Sequence, residues 1–462
     1  MNISSRRALY AVMTREFSLP SRSRLVSSAN HLLQGLQKCR LIPQVELDVG
    51  AMCALVRRQT GLWDFGDPWF FEPLGVLVQA LGEEASLNAI GRFAATGQFL
   101  KVMRERLWAQ HWFGEERDIL ATPLEPPVIV VGPMRSGTTR LHRLLAADER
   151  FEHLRFFETV CPVPPPDFRP GGRDPRPRQA GRLLSTVHRL NPRTAVIHPT
   201  APFEPEEELG LLVASAWGMK HEAQWRIPSY GRWCEDQDAT PAYRHVARLL
   251  QLVRWARGGA PSKPWVLKTP QHMLDLPALL RVFPNARLVF IHRDPDRVVG
   301  SSCSLVWNQM TIHSDMVDPG WIGQHWLHKT RLQIDRMQLT RSRIDPRQRI
   351  DVLYRDMDAD WMAVMQRVYA FLDMDIAPAL PSMKQYVEKT RSQHRWQHHH
   401  YRLSSFGLDP EGVGSHFEDY TQAFDLRPRQ PGQWFDPQPK GSRQIPRYAT
   451  TKAQPASAAS AS

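Results

Sequence analysis

The sequence predicts an α/β protein: a parallel sheet flanked by helices, with a helical N-terminal extension. Three observations predict it. Short apolar runs (Val128–Val131, 265–267, Arg287–His292 and 349–354) alternate with helical stretches of ten or more residues, the pattern of a parallel sheet covered on both faces. Upstream of the first run, apolar residues fall at helical spacing with no strand signal. Finally, 462 residues that are 42% hydrophobic supply ample chain for a large core, which excludes wholesale disorder.

Taken in order, residues 1–45 read as a basic N-terminal arm, irregular or loosely helical, with Glu16 its only acid. Residues 46–120 form the helical N-terminal region. Leu74, Leu77, Val78 and Leu81 stand at i, i+3, i+4 and i+7, and Ile90, Phe93 and Ala94 repeat the spacing. Trp63, Phe65, Trp69, Phe70, Trp108 and Trp112 are read as core anchors around them. Residues 121–435 carry the α/β domain, in which the Pro-, Arg- and Gly-rich stretch 162–177 reads as a surface loop. Residues 436–462, closing in AQPASAASAS, read as a disordered tail.

The balance of 59 Lys and Arg against 47 Asp and Glu gives a net charge of +12. It suits an anionic partner: nucleic acid, an acidic membrane surface, or a phosphorylated or sulfated small molecule. The arm to residue 45 holds seven basic residues against Glu16, and the tail from residue 436 four against Asp436, so little of the excess belongs to the folded middle. The arm therefore offers peripheral contact with a membrane. Five scattered cysteines, never in a CxxC pair, point to a reducing, cytoplasmic setting and to no cysteine-based zinc site. No apolar run approaches the ~18 residues of a membrane span, and no secretory leader is expected.

The most informative segment is residues 130–141, VVGPMRSGTTRL. A strand runs into Gly132, a turn follows, and a helix starts near Gly137 and Thr138, which aims backbone N–H groups and a helix dipole at one spot. Gly132 and Gly137 have the spacing of a P-loop, but Thr138 and Thr139 stand where Lys and Ser/Thr would. The missing lysine argues against metal-dependent NTP hydrolysis. Arg135, inside the loop, can instead grip a terminal oxyanion.

This P-loop-like segment resembles the 5′-phosphosulfate loop of the sulfotransferases, whose donor is 3′-phosphoadenosine-5′-phosphosulfate (PAPS). The resemblance implies that Arg135, Ser136, Gly137, Thr138 and Thr139 hold the 5′-phosphosulfate. It also implies a strand-end Arg with a Ser eight residues on for the 3′-phosphate, and Arg293 and Ser301 match that spacing. A strand-end Lys reaching the bridging oxygen is matched by Lys268, in LKTP followed by Gln271 and His272. The small-molecule cytosolic branch has a catalytic His two positions after that Lys, where this chain has Pro270. LKTP with the following His resembles instead the bacterial sulfotransferases with a helical N-terminal extension, over roughly residues 62–426, including 64–69 (DFGDPW) and 401–409 (YRLSSFGLD).

By this resemblance the protein moves a sulfuryl group from PAPS, with no metal, to a hydroxyl, or less readily an amine, of a small-molecule, lipid or glycan acceptor. Lys268 would stabilise charge on the leaving oxygen. Three residues compete as general base: Glu158, where the protein-tyrosine and heparan branches place a Glu; His272, four residues after Lys268; and His198, ahead of an acid cluster. Glu158 is preferred, with a helix-capping carboxylate as its plain alternative. Glu206, Glu207 and Glu208 are read as a solvated or helix-start face rather than a metal site. The tract His398–His399–His400 is read as closing over the nucleotide's 3′ end. The competing classes are a P-loop nucleotide kinase or NTPase and a non-catalytic nucleotide- or nucleic-acid-binding protein. Nucleic acid is not the expected partner.

Overall fold

A computed structural model describes residues 19, 22–41, 47–259, 262–393 and 401–426. The histidine tract, the tail from residue 436 and most of the basic arm lie outside the described residues.

Four strands form one parallel sheet in the order β2-β1-β3-β4: β1 (Val128–Val131), β2 (Val266–Lys268), β3 (Arg287–His292) and β4 (Arg349–Leu353). The predicted runs are these strands, shifted by a residue at two of them. Val128 pairs with both Val266 and Arg287, and Leu288 with Arg349, so all four C-terminal ends share one edge of the sheet. The chain passes from β1 to β2 on one side and returns to β3 on the other. This leaves a crevice beyond β1, the place where open α/β sheets bind ligands.

Alternation along the strands sends side chains to two cores. Ile129, Val131, Leu267, Leu288 and Phe290 join the larger core. Val128, Val130, Val266, Val289 and Ile291 join a second, with Leu141, Leu144 and Leu145. Because both faces are covered, β1 and most of β3 read as continuous apolar runs, whereas the edge strand β4 keeps Arg349 and Asp351 half-buried.

Ahead of the sheet stand α1 (Arg24–Lys38), α2 (Val49–Thr60), α3 (Phe71–Glu83) and α4 (Ala89–Glu115). Helices α2, α3 and α4 share a third core with Val213, Ala216, Trp225 and Tyr230. The stripe Leu74, Leu77, Val78 and Leu81 is buried there, whereas Phe93 and Trp63 are exposed. Arg106 of α4 is buried, its guanidinium 4.2 Å from the Phe70 ring centroid, and it donates to the carbonyls of Phe65 (2.7 Å) and Ala214 (3.1 Å).

After β1 come α5 (Thr138–Ala146), α6 (Phe156–Val160), α7 (Arg176–Leu190) and α8 (Arg193–Ile197). Then α9 (Thr240–Ala256) leads to β2, α10 (His272–Val282) to β3, and α11 (Pro295–His313) with α12 (Pro319–Arg341) to β4. The surface-loop expectation for residues 162–177 needs correction. Pro162, Val163 and Pro164 are buried, and Trp112 Nε1 donates to Pro164 O (2.9 Å), because a run of prolines offers carbonyls with few N–H groups to satisfy. Only Asp167 and residues 169–173 lie exposed, and α7 begins at Arg176.

Lys329 of α12 is buried against two carboxylates from the short helices Met219–Gln224 and Pro228–Asp236 that precede α9. Its Nζ lies 2.9 Å from Glu222 Oε2 and pairs with Glu235, while His325 Nε2 lies 3.1 Å from the same Glu222 oxygen. Burial pushes the Glu222 carboxyl up, but Lys329 and His325 more than offset this and hold it at about 2 against the usual 4.5. A depressed folded value means that Glu222 contributes stability fully above pH 4.5 and loses it as pH falls through 2. Lys329→Met strands that carboxylate, so urea unfolding at pH 7 should show a loss of about 3–5 kcal/mol. The gap between variant and wild type should narrow toward pH 3; a gap that widens would refute the pairing.

Candidate active site

β1 ends at Val131, and the chain turns through residues 132–137 before α5 starts at Thr138. Arg135 (φ 64°) and Gly137 (φ 92°) adopt left-handed backbone, which costs about 1–2 kcal/mol at the non-glycine position. A side chain on Gly137 would meet the Tyr354 ring at 2.5 Å, and one on Gly132 would meet Ile291 at 2.6 Å. Ser136 is buried and closes the turn, its hydroxyl donating to Pro133 O (2.7 Å). No side chain caps α5, which leaves its first-turn N–H groups facing the crevice as an anion cradle.

The structure brings Arg135, Arg293 and Ser301 together. Arg135 Nε donates to Ser301 Oγ (3.0 Å) and its Nη1 to Ile197 O (3.1 Å), while Arg293 Nη1 donates to Arg135 O (2.5 Å). The Arg293 guanidinium lies 3.9 Å from the Tyr354 ring centroid. Tyr401 covers Gly300, where a side chain would meet its ring at 2.6 Å, and its hydroxyl donates to Arg297 O (3.1 Å). Burial, and then the like charge of Arg293, lower the Arg135 pKa. A bound polyanion would relieve both. In this structure the Arg135 side chain turns toward Ser301.

Lys268, at the end of β2, is buried with Nζ 3.4 Å from Thr139 Oγ1. That ammonium also pairs with Glu207. The acid cluster is not a solvated face. Glu206 accepts from His198 (2.8 Å), Glu207 takes Lys268, and the buried Glu208 accepts the Lys268 backbone N–H (2.8 Å) while lying against His272 Nε2. The three acids precede the helix Leu209–Val213 on irregular backbone, so successive side chains fan out to three different partners, His198, Lys268 and His272. Among the described residues, no group of three or more His, Cys, Asp or Glu is placed to hold a metal ion.

The charges around Lys268 are strongly coupled. Glu206 raises the His198 pKa, whereas the Glu206 carboxyl, pushed up by burial, is pulled below its usual value by His198 and Lys268. His142 on α5 is lowered to about 3 by burial and by Lys268. Lys220 is lowered to about 8 by burial and by Lys101, with Glu207 opposing.

Two of the base candidates lie in other surroundings. The Glu158 carboxylate is buried, receives Arg257 Nε (2.9 Å) and Nη2 (2.5 Å), and accepts the Arg155 N–H (2.8 Å) at the start of its own helix. His272 is fully buried, with Nδ1 2.9 Å from the Tyr243 hydroxyl and Nε2 against Glu208. His198 remains partly exposed, directly after Ile197, whose carbonyl holds Arg135. Glu207, Lys220 and Tyr354 are the site residues that sequence reasoning missed. No local pattern marked Glu207, because its partner Lys268 lies 61 positions away in the chain.

Residues 126–378, more than half of the chain, match the family model described as the sulfotransferase family. The chain belongs to the sulfotransferase family. This sulfotransferase is 26% identical over 339 residues to omega-hydroxy-beta-dihydromenaquinone-9 sulfotransferase Stf3 of Mycobacterium bovis, an alignment spanning 69% of this chain and 79% of the relative. The crystal structure of sulfotransferase STF1 from Mycobacterium tuberculosis matches with 28% identity and a TM-score of 0.71, over 82% of this chain and all of that one. That of STF9 from Mycobacterium avium matches with 25% identity and a TM-score of 0.74, over 84% of this sulfotransferase and 98% of that chain. The kinase, NTPase and nucleic-acid-binding readings are not favoured by these matches.

Proposed function

We propose that this sulfotransferase takes PAPS as its donor and sulfates a hydroxyl carried by a lipid. The observation that carries the donor reading is the meeting of Arg135, Arg293 and Ser301 beside an uncapped helix start, with Lys268 at the neighbouring strand end. The donor supplies an electrophilic sulfur with a phosphate leaving group. The residues of the chain fit it: Arg135 and Arg293, like charges brought close where Arg293 donates to the Arg135 carbonyl, are satisfied by a phosphate, and the α5 N–H groups by a second anionic group. The lipid reading is supported by the relative named for a hydroxylated menaquinone derivative. Five cysteines, none in a disulfide, support a reducing, cytoplasmic workplace.

In the reaction the acceptor oxygen bonds to sulfur as the bond from sulfur to the bridging oxygen breaks. The electron pair stays on the leaving phosphate, where Lys268 compensates the growing charge. The acceptor proton goes to Glu207, which is held by Lys268 and is partly exposed. Glu158 and His272, both buried and occupied, act in this reading as scaffold, and His198 as the cation paired with Glu206.

Thermal shift tests the donor reading. 3′-Phosphoadenosine 5′-phosphate at about 100 times its Kd should stabilise the fold by about 2.7 kcal/mol and raise Tm, and ATP with Mg²⁺ should not. Arg293→Ala should abolish most of the shift. A shift with ATP and none with the bisphosphate would overturn the reading.

A further inference from the structure

Helix α7 runs 15 residues, about 22 Å, along the surface with only Arg176 and Ala180 buried. At its N-terminal end lies a surface depression of about 570 Å³, lined by Arg169, Arg173, Arg178 and Arg182 with Phe168 beneath them. All four arginines are exposed, and Asp167 is the one acid of the lining. The nearby Asp174 is taken by the buried Arg176 (2.8 Å). One residue past Arg182, Leu183 is 47% exposed.

The other end of α7 meets α1, where the Ser23 hydroxyl donates to Leu190 O. Helix α1 exposes Leu25 (62%) and Leu32 (65%), and residues 22–41 contain Arg22, Arg24, Lys38 and Arg40 with no acid. Arg22 is tied to Asp315; Arg24, Lys38 and Arg40 are exposed. From α7 the chain passes through α8 to Ile197, whose carbonyl holds Arg135, so this strip is one short helix away from the donor loop.

We infer that the α7–α1 strip docks the enzyme on an anionic bilayer. The four-arginine depression takes lipid phosphates, and Leu25, Leu32 and Leu183 enter the headgroup region. Charge complementarity selects an anionic surface, and exposed leucines interleaved with the cations select a bilayer over a soluble polyanion, which rewards no apolar side chain. Sequence alone assigned membrane contact to the disperse charge of the arm; the structure concentrates it at α7. The purpose of docking rests on the lipid-acceptor reading, but the surface itself does not.

Sedimentation of the full chain with vesicles, with no donor or acceptor present, tests the inference. Vesicles of phosphatidylcholine with about 30 mol % phosphatidylglycerol should bind at least about tenfold tighter than phosphatidylcholine alone. Replacing all four arginines by Gln should lose at least about tenfold, and replacing them by Lys should retain binding. Turnover of a detergent-dispersed acceptor should be unchanged in both. Leu25→Ser with Leu32→Ser and Leu183→Ser should also weaken vesicle binding, and this variant carries the test if the Gln variant fails to fold. Equal binding to both vesicles, full binding by the Gln or Ser variant, or tighter binding of an oligonucleotide than of vesicles would overturn it. Failure of the lipid-acceptor reading would show separately, in acceptor assays.

Discussion

Lys268→Ala is expected to lower kcat by about 10²–10³, the loss seen when one fixed donor to a developing oxyanion is removed. The ammonium is buried at the end of β2, next to Thr139 of the loop helix. A cation at the bridging oxygen acts on charge that appears only as the bond breaks. The affinity for 3′-phosphoadenosine 5′-phosphate should therefore change far less than kcat, and single-turnover kinetics beside a binding titration separate the two. A variant that turns over normally but binds the bisphosphate poorly would move Lys268 from chemistry to donor binding. Because Lys268 also neutralises Glu207, Tm is measured alongside to exclude a folding defect.

Glu207→Gln is expected to cost about 10²–10⁴ in kcat, the usual worth of a positioned general base. It should leave the thermal shift by the bisphosphate intact, since Arg135, Arg293 and the α5 N–H groups are untouched. Glu158→Gln and His272→Ala assayed beside it separate chemistry from scaffold. Glu158 holds Arg257 and its own helix start, and His272 lies between Tyr243 and Glu208, so both substitutions should lower Tm more than they lower turnover at a temperature where the variants are folded. Near-normal turnover in Glu207→Gln together with a collapse in Glu158→Gln would restore the base to the position preferred from sequence. A collapse confined to His198→Asn would give the role to the His198–Glu206 pair instead.

The sheet was legible because β1 and most of β3 are buried on both faces and so read as apolar runs between turn signals, while β4, half-buried at the edge with Arg349 and Asp351, was the weakest signal. The loop at residues 132–137 was legible because left-handed backbone and close approach to Ile291 and Tyr354 need glycine at its two ends. The acid cluster was not legible. Adjacent glutamates look solvent-facing unless their partners are known, and two of these, Lys268 and His272, lie more than 60 positions away in the chain. The proline-rich stretch misled for a related reason. Its residues resemble a loop in composition, but Trp112 and Arg176 satisfy its carbonyls in the interior.

Sequence by itself determined the architecture and the class of chemistry: a parallel sheet with an anion-binding loop that lacks the P-loop lysine, Arg293 and Ser301 at fixed spacing, and Lys268 at a strand end. The loop follows from local backbone geometry, and the parts assigned to Arg293, Ser301 and Lys268 from the resemblance to the sulfotransferases, whose strand ends a parallel sheet brings to one edge. Only the tertiary structure decided which carboxylate faces Lys268, that Glu158 and His272 are buried among partners, and that four arginines of α7 share one depression. Side-chain pairing between distant segments depends on which charges desolvate one another, and that is set by packing rather than by spacing along the chain.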